Sequence, residues 1–265
     1  MDPGQNRGLV PEKASAIRSY VKRRPRLRSW VVRARGVWHR LQFLYLILRK
    51  GDERKPAGEA MPALRSFSRG SCSITEEMRA AYEEYTRNIS HEGWPLSFES
   101  ACLLWSLCEA TGPKRILDLG SGFSSFIFRL YRSTAKMEPT IWSVDEDSDW
   151  LEKTRVFLRS HELPDDNLIN WRTLQATEPG SFDLTSLDLA DIDERVNIFE
   201  KLLNWLTPGG LLLLDDMHNS AYRKEIMRML GSQNSVEGYS VRWLTLDKTL
   251  RYCLLVRRHV ESCEG

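Results

Sequence analysis

The chain has 265 residues, enough for one sizeable α/β domain with an appendage, and its 42% apolar and 28% charged residues are ordinary for a globular protein. Its five scattered cysteines form no CxxC pair, which argues against a disulfide framework or a zinc site and favours a reducing, cytoplasmic environment. The net charge of +2 hides an asymmetry: residues 1–60 contain 15 Lys and Arg against 5 Asp and Glu, whereas the remainder contains 23 against 31.

The first 60 residues are predicted to form a basic extension. Apolar side chains recur at helical spacing in residues 30–50, which predicts an amphipathic helix interrupted by arginines. No uncharged run approaches the roughly 20 residues of a membrane span. Because aromatic and basic side chains interleave, we expect residues 22–50 to contact an anionic membrane surface. Solvated charge and nucleic-acid binding are the alternatives, and nucleic acid is not favoured.

A domain over residues 70–265 is predicted to follow a linker at residues 51–72. Ser73 with Glu76 resembles a capping box for a helix at 74–89, and Ser97 is the expected cap of a helix at 98–110. Strands and helices then alternate. The predicted strands are Arg115–Leu119, Thr140–Asp145, Asn167–Thr173, Phe182–Asp188, Leu211–Asp215, Ser240–Leu246 and Thr249–Arg257, and the helices from the first crossover onward are 124–133, 148–160, 193–206 and 220–231. This order predicts an α/β fold with a seven-stranded, mostly parallel sheet and an antiparallel C-terminal hairpin turning at Asp247-Lys248.

A glycine-rich turn follows the first predicted strand, in the stretch RILDLGSGFSS. Gly120 and Gly122 leave the backbone bare where a helix begins, with Ser124 or Ser125 expected as its N-cap. A ligand can therefore approach the helix N-terminus closely. The position directly between a strand and a helix favours a ligand-binding turn over a simple tight connection.

The next strand ends at Asp145, whose carboxylate is suited to accept hydrogen bonds from both hydroxyls of an adenosine ribose. Two other positions discriminate between nucleotide cofactors. A dinucleotide fingerprint would place glycine at position 125, where the chain has Ser125. Asp118 would repel a pyrophosphate but suits a ligand with an ammonium group. These features favour a sulfonium amino-acid cofactor.

The motifs together resemble those of class I S-adenosylmethionine-dependent methyltransferases. RILDLGSGFSS is similar to their motif I, TIWSVDEDSDWLE to their second strand with its ribose-binding acid, and LTPGGLLLLDD to their fifth strand. The resemblance covers residues 95–258 and is strongest to the small-molecule O-methyltransferase-like group, in which a helix start like Glu99-Ser100 precedes motif I. It implies a Rossmann-like fold and S-adenosylmethionine as the cofactor.

The same resemblance assigns cofactor-binding residues. The residues at the motif I positions would line the methionine end of the cofactor, and Asp145 would hold the ribose of the cofactor. The acid that is usual after the third strand is missing, and the chain offers Gln175 there. The predicted cofactor-binding set is Asp118, Gly120, Ser121, Gly122, Phe123, Ser124, Asp145 and Glu146.

Candidate catalytic residues follow the fourth and fifth strands, where open α/β sheets bind their ligands. Methyl transfer requires alignment and deprotonation of the acceptor, and His218, Asp216 and Asp188 are the predicted catalytic residues. In catechol-type O-methyltransferases, the positions that match Asp188, Asp215 and Asp216 hold Asp, Asp and Asn and bind a divalent metal. An all-oxygen set also suits magnesium. A metal-free site with His218 as base is the alternative that we favour, and His218 as a mere helix cap is a third interpretation.

The sequence therefore predicts methyl transfer to a small-molecule or a lipid- or sugar-linked acceptor, at oxygen. Two other classes of function stay open. An NAD-dependent oxidoreductase is disfavoured by Ser125 and Asp118. A non-catalytic scaffold protein would bind the cofactor without turnover.

Overall fold

The computed structural model describes residues 54–90, 95–134, 138–177, 179–189 and 191–260, so the helix predicted at residues 30–50 lies outside the described residues. The strands are β1 (Arg115–Leu119), β2 (Thr140–Asp145), β3 (Leu168–Asn170), β4 (Phe182–Leu187), β5 (Leu206–Leu214), β6 (Val236–Ser240) and β7 (Leu254–Arg258). The α-helices in these ranges are α1 (Ala57–Ala60), α2 (Thr75–Asn88), α3 (Phe98–Thr111), α4 (Phe123–Thr134), α5 (Ser148–Ser160), α6 (Trp171–Gln175), α7 (Ile192–Trp205), α8 (Ser220–Gly231) and α9 (Arg242–Thr245).

All seven strands belong to one sheet, in the order β3-β2-β1-β4-β5-β7-β6. Strands β1 to β5 are parallel, and β7 runs antiparallel to both β5 and β6. This confirms the predicted α/β fold and its antiparallel C-terminal strand pair. The strand order reverses between β1 and β4, and in open α/β sheets such a switch point is where a crevice opens at the carboxyl ends of the strands.

The central strands are buried, as parallel strands covered by helices must be. Ile116, Leu117 and Leu119 of β1 have no exposed surface, and the leucines at 211–214 of β5 are at most 2% exposed. Among these apolar residues Asp118 is also fully buried. A buried carboxylate is costly unless it has hydrogen-bond partners. Packing alone therefore does not explain why an acid occupies this position.

The sheet edges differ from the sequence prediction. The third strand was expected to reach Thr173, but β3 ends at Asn170, whose side chain accepts a hydrogen bond from the Arg172 N–H and caps α6. The hairpin turn predicted at Asp247-Lys248 is wrong as well. The segment after β6 forms α9 instead, because Thr245 is buried there and its Oγ1 accepts the Cys253 N–H at 2.9 Å. The Asp247 carboxylate then organises the return loop by accepting the Thr249 and Arg251 N–H groups.

Of the predicted helix caps, only Ser97 is confirmed, with its side chain accepting the Ser100 N–H at 3.1 Å. Ser73 does not cap α2, because its hydroxyl is engaged by Glu109 and by the indole N–H of Trp105. Neither Ser124 nor Ser125 is an N-cap, since α4 already begins at Phe123 and both serines lie in its first turn.

The predicted linker at residues 51–72 is also wrong from Arg54 onward. The Lys55 carbonyl accepts the Ser240 N–H at 2.9 Å, and Ala57, Met61 and Leu64 are buried in the core. The folded domain therefore begins no later than Arg54 rather than at residue 70. None of the helices in the described ranges has the length and apolar content needed to cross a membrane.

Candidate active site

The loop between β1 and α4 places two glycines, which have no side chains, at the switch point of the sheet. Gly120 has φ of 101°, and a Cβ at this position would overlap the backbone carbonyl of Asp188. A Cβ on Gly122 would lie 2.9 Å from the hydroxyl oxygen of Tyr85. Because the overlap at Gly120 involves backbone, no side-chain movement can relieve it. Only glycine allows this loop to approach the neighbouring strand end so closely.

Asp118 lies beneath this loop rather than in the wall of a cavity. Its carboxylate accepts hydrogen bonds from the hydroxyls of Ser125 at 2.5 Å, Ser143 at 2.9 Å and Ser186 at 2.9 Å. Burial raises the pKa of Asp118, and the serine hydrogen bonds oppose that rise. The position does not support the predicted direct contact with the ammonium group of a cofactor. Asp118 instead ties β2, β4 and the start of α4 to β1.

A cavity of about 460 Å³ opens beside the glycine loop. Seven of the eight predicted cofactor residues line it, the exception being Asp118, together with the predicted catalytic residues Asp188 and Asp216. Sequence reasoning missed the other lining residues, which come from α2, from the turn before α3, from α5, from α7 and from the loop before β7. These are Tyr85, Pro95, Leu96, Asp147, Trp150, Arg195 and Arg251.

Asp145 is positioned at the cavity by the backbone of the glycine loop. Its Oδ2 accepts the Ser121 N–H at 2.9 Å and its Oδ1 accepts the Asp147 N–H at 3.0 Å. Burial raises the pKa of Asp145, and the two backbone hydrogen bonds oppose that rise. The indole N–H of Trp150 donates to the Ser121 carbonyl at 2.6 Å and so fixes the other side of the same residue. The carboxylate keeps lone pairs for ligand hydroxyls.

A second cavity, of about 840 Å³, shares Glu146 with the first. Gln175, the polar residue expected on the adenine side, lines it, and so does the buried ring of Trp171. The indole N–H of Trp171 donates to Glu194 at 3.0 Å. The first cavity therefore lies against the glycine loop after β1, and the second lies against residues at the end of β3 and in α6.

Tyr85 is a functional candidate that sequence reasoning missed. The residue has no exposed surface, and within the described residues its hydroxyl has no hydrogen-bond partner. Burial raises the pKa of this phenol, which stays protonated and able to donate. A buried hydroxyl without a partner is costly, so its position against Gly122 indicates a ligand atom as its partner. Nothing in the local sequence signals this role, because Tyr85 belongs to α2 whereas the glycine loop that it faces follows β1, much later in the chain.

The carboxylates after β4 and β5 are bridged by a guanidinium. Arg195 Nη2 lies 2.9 Å from Asp188 Oδ1, and its Nη1 lies 3.0 Å from Asp216 Oδ2. The side chains of Asp188 and Asp216 are 22% and 23% exposed, and both line the cavity. Burial and the nearby Asp215 raise the pKa of Asp188 well above its ordinary value, while Arg195 opposes that rise.

Asp215 points into the protein rather than into the cavity. It is 4% exposed, and its Oδ1 accepts the Asp216 N–H at 2.8 Å and the Cys253 thiol at 3.3 Å. Asp216 adopts a left-handed φ of 58°, which asparagine and aspartate tolerate better than other side chains. This conformation separates two adjacent acids, so that only Asp216 contacts Arg195.

His218, the favoured base in the sequence prediction, lies outside the cavity wall. Its side chain is 40% exposed, and its Nδ1 is 3.5 Å from Asp216 Oδ1. Asn219, not His218, caps α8, because its side chain accepts the Ala221 and Tyr222 N–H groups. The cap interpretation of His218 is therefore wrong. Its exposure also makes His218 a weaker candidate for the base than Asp188.

A divalent metal does not fit this site. Within the described ranges, no three His, Cys, Asp or Glu side chains are arranged to hold an ion. Asp188 and Asp216 are already bridged by Arg195, and Asp215 faces Cys253. The all-oxygen ligand set predicted from Asp188, Asp215 and Asp216 is therefore not assembled.

Comparisons with known proteins agree with this architecture. No protein-family model and no curated protein matches the sequence. Solved structures do match. An O-methyltransferase from Bacillus cereus in complex with SAH has a TM-score of 0.56 at 12% identity, over 69% of this chain and 90% of that chain. The O-methyltransferase TomG from Streptomyces achromogenes, in complex with SAM and involved in tomaymycin synthesis, has a TM-score of 0.55 at 15% identity, over 72% and 91%. SAH-bound methyltransferase PaMTH1 from Podospora anserina has a TM-score of 0.56 at 15% identity, over 75% and 92%.

The chain therefore shares the Rossmann-like fold of these methyltransferases. The predicted resemblance is confirmed at the level of the fold, with the antiparallel β7 inserted between β5 and β6. The glycine loop, Asp145 and the acids after β4 and β5 converge on one edge of the sheet in this fold.

Proposed function

We propose that this protein is an S-adenosylmethionine-dependent methyltransferase that acts on an oxygen atom of its acceptor. The observation that carries the proposal is the cavity at the switch point, where the bare glycine loop, Asp145 and the unpartnered Tyr85 hydroxyl meet. The solved structures with SAM or SAH that share the fold support the choice of cofactor.

The residues present fit this cofactor. Gly120, Ser121 and Gly122 would hold its methionine part, and Asp145 its ribose. Glu146 and Gln175 would lie along the adenosine part, where the two cavities meet. When bound, the cofactor supplies an electrophilic methyl group. The chain's own contribution is to align an acceptor and to take its proton.

Asp188 is the proposed proton acceptor. It lines the cavity beside Gly120, whereas His218 does not. The pKa of Asp188 is raised, so its carboxylate is a stronger base than an ordinary one. Proton transfer is most efficient when the pKa of the base lies near the working pH. The Arg195 guanidinium donates to Oδ1 of Asp188, so Oδ2 is the proposed proton-accepting atom.

The acceptor is proposed to enter through a third cavity, of about 510 Å³, which meets the first at Arg251. Its wall combines the rings of Tyr82 and Phe98 with the guanidinium groups of Arg79 and Arg87. Such a wall suits a small molecule, or the end of a lipid- or sugar-linked one, that carries both apolar and polar groups.

Titration calorimetry with S-adenosylmethionine and S-adenosylhomocysteine tests the proposal. We expect saturable binding that weakens by about 1–3 kcal/mol in Asp145→Ala, because ribose hydroxyls would lose a charged partner. Asp149→Ala removes a nearby exposed acid and serves as the control. No heat at millimolar cofactor would exclude the methyltransferase assignment.

Turnover distinguishes the two other classes of function. Native mass spectrometry can identify a co-purified acceptor, and release of S-adenosylhomocysteine with that acceptor measures catalysis. Cofactor binding without any such release would favour a scaffold protein. Bound nicotinamide, visible by its absorbance, would favour an oxidoreductase.

We also propose that the basic extension contacts an anionic membrane surface. The charge asymmetry between residues 1–60 and the rest supports it. Deletion of residues 1–53, which spares the packed segment from Arg54, should abolish cosedimentation with phosphatidylserine vesicles. High salt should weaken binding of the intact chain, at about 1 kcal/mol for each basic residue near the surface. Cosedimentation that survives the deletion would contradict this, and binding of RNA but not vesicles would favour nucleic acid.

A further inference from the structure

Three carboxylates follow the ends of β4 and β5, and two of them, Asp188 and Asp216, line the cavity. Beyond the effect of burial, Asp215 and Asp216 raise the pKa of Asp188, and Asp216 raises the pKa of Asp215. Carboxylate clusters of this kind bind magnesium or calcium, because hard cations prefer oxygen ligands. Without a cation, like charges in a partly buried site repel one another strongly. Some group must supply positive charge here.

Arg195 supplies it from within the chain. The residue is 3% exposed, yet its guanidinium reaches the cavity wall, with Nη1 and Nη2 on separate carboxylates and Nε donating to the Leu189 carbonyl. The planar fork of arginine suits such simultaneous contacts, which lysine could not reproduce. The guanidinium therefore lies between the oxygens that a metal ion would have to bind.

The local sequence holds Arg195 in this position. Asp191 caps α7 by accepting the Asp193 N–H at 2.7 Å and the Glu194 N–H at 3.3 Å, so the helix starts at a fixed point. Arg195 lies in the first turn, and the Leu189 carbonyl is immediately before the helix. Moving the side chain aside would break three hydrogen bonds and remove the guanidinium that bridges the two acids. An incoming divalent cation would also meet a positive charge at its binding position.

We propose that Arg195 is a built-in replacement for a divalent metal ion, which keeps the acids of this site charged, separated and closed to metals. The inference rests on the proposed function, since it describes how the same site works. Among the described residues, three of the five N–H groups of Arg195 have partners. The remaining two belong to Nη1 and Nη2 of this side chain, which lines the cavity.

Binding of Mn²⁺, followed by electron paramagnetic resonance, tests this without any acceptor or cofactor. The wild type should bind no Mn²⁺ below about 1 mM. Arg195→Gln removes the charge but keeps a polar side chain, and it should gain a site with a dissociation constant of about 10⁻⁴–10⁻³ M, the range of weakly built sites. Arg195→Lys keeps the charge and should gain none. Adding Asp216→Asn to Arg195→Gln should remove the new site.

Tight Mn²⁺ binding by the wild type would overturn the proposal, and so would a folded Arg195→Gln variant that binds no more metal than the wild type. Circular dichroism checks folding. If Arg195→Gln does not fold, the wild-type and Arg195→Lys titrations decide, and metal binding by either one overturns the inference. Calorimetry with S-adenosylmethionine is independent of these results, so failure of the cofactor assignment would be recognised separately.

Discussion

Two groups of acids lie at the same edge of the sheet and are stabilised in different ways. Asp118, at β1, is fully buried and surrounded by the hydroxyls of three serines. Asp188 and Asp216, after β4 and β5, are each about a fifth exposed and share one guanidinium. Neutral hydroxyl donors stabilise Asp118, whereas a full positive charge stabilises the pair Asp188 and Asp216.

The difference indicates different roles. Hydroxyl donors can turn to suit either protonation state of Asp118, so its side chain can keep hydrogen bonds to the serines when its charge changes. The pair at β4 and β5 keeps oxygen atoms at the cavity wall, and its charge state depends on Arg195. We infer that Asp118 positions the glycine loop, whereas Asp188 and Asp216 act on the bound molecules.

The largest expected effect concerns Asp188. If it takes the acceptor proton, Asp188→Asn should lower turnover about 10²–10⁴-fold, with cofactor affinity nearly unchanged. His218→Ala should lower turnover less than about tenfold, because that side chain lies outside the cavity wall. Release of S-adenosylhomocysteine with the identified acceptor measures both. The reverse ranking would restore His218 as the base.

The next effect concerns the stability of the charged pair. Arg195→Gln should lower the free energy of unfolding by about 3–5 kcal/mol at pH 8, because it removes the guanidinium that bridges two partly buried carboxylates. The loss should shrink as the pH is lowered, because Asp188, whose pKa is raised by burial, takes up a proton. Urea denaturation measures it. Arg132→Gln is the control, since its partner Asp166 is half exposed and the pair is worth less than about 1 kcal/mol. Equal losses in both variants would contradict the comparison.

The smallest effect concerns the pH dependence of Asp118. Its pKa is raised above 3.8, so the folded protein holds this proton more tightly than the unfolded chain does. The resulting stability is complete below pH 3.8 and is lost as pH rises through the raised pKa. Asp118→Asn should remove that loss of stability at high pH. Because the hydrogen bonds are altered, the substitution itself should lower the free energy of unfolding by about 1 kcal/mol.

Asp166 provides a control of opposite sign. Hydrogen bonding to Arg132 lowers the pKa of Asp166, so its contribution is present above pH 3.8 and is lost as pH falls. Asp166→Asn should therefore flatten the acid side of the stability profile, where Asp118→Asn flattens the side above pH 3.8. Chemical denaturation across pH 3–8 measures both variants. Identical profiles would show that the hydrogen bonds from the serines, not burial, determine the direction in which the pKa of Asp118 is shifted.

The sequence by itself determined the sheet and the glycine-loop side of the cavity. Hydrophobic runs separated by helical segments predicted the parallel strands, because buried strands and crossover helices each have a characteristic pattern. The glycines at 120 and 122 and the acid at 145 were recognisable, since strand ends and backbone-bare turns are local features. The antiparallel strand pair at the C-terminus was predicted, although the turn predicted at Asp247-Lys248 was wrong.

Tertiary structure alone decided the rest. The burial of Asp118, the bridge made by Arg195 and the unpartnered hydroxyl of Tyr85 depend on contacts between segments distant in sequence. Arg195 looked like an ordinary helix residue, because nothing in its neighbours along the chain reveals the acids it meets across the sheet edge. His218 looked like the best base because histidine has a suitable ordinary pKa, but only the fold shows which groups face the cavity. Side-chain chemistry is a local property, whereas access to a ligand is a property of the assembled strand ends.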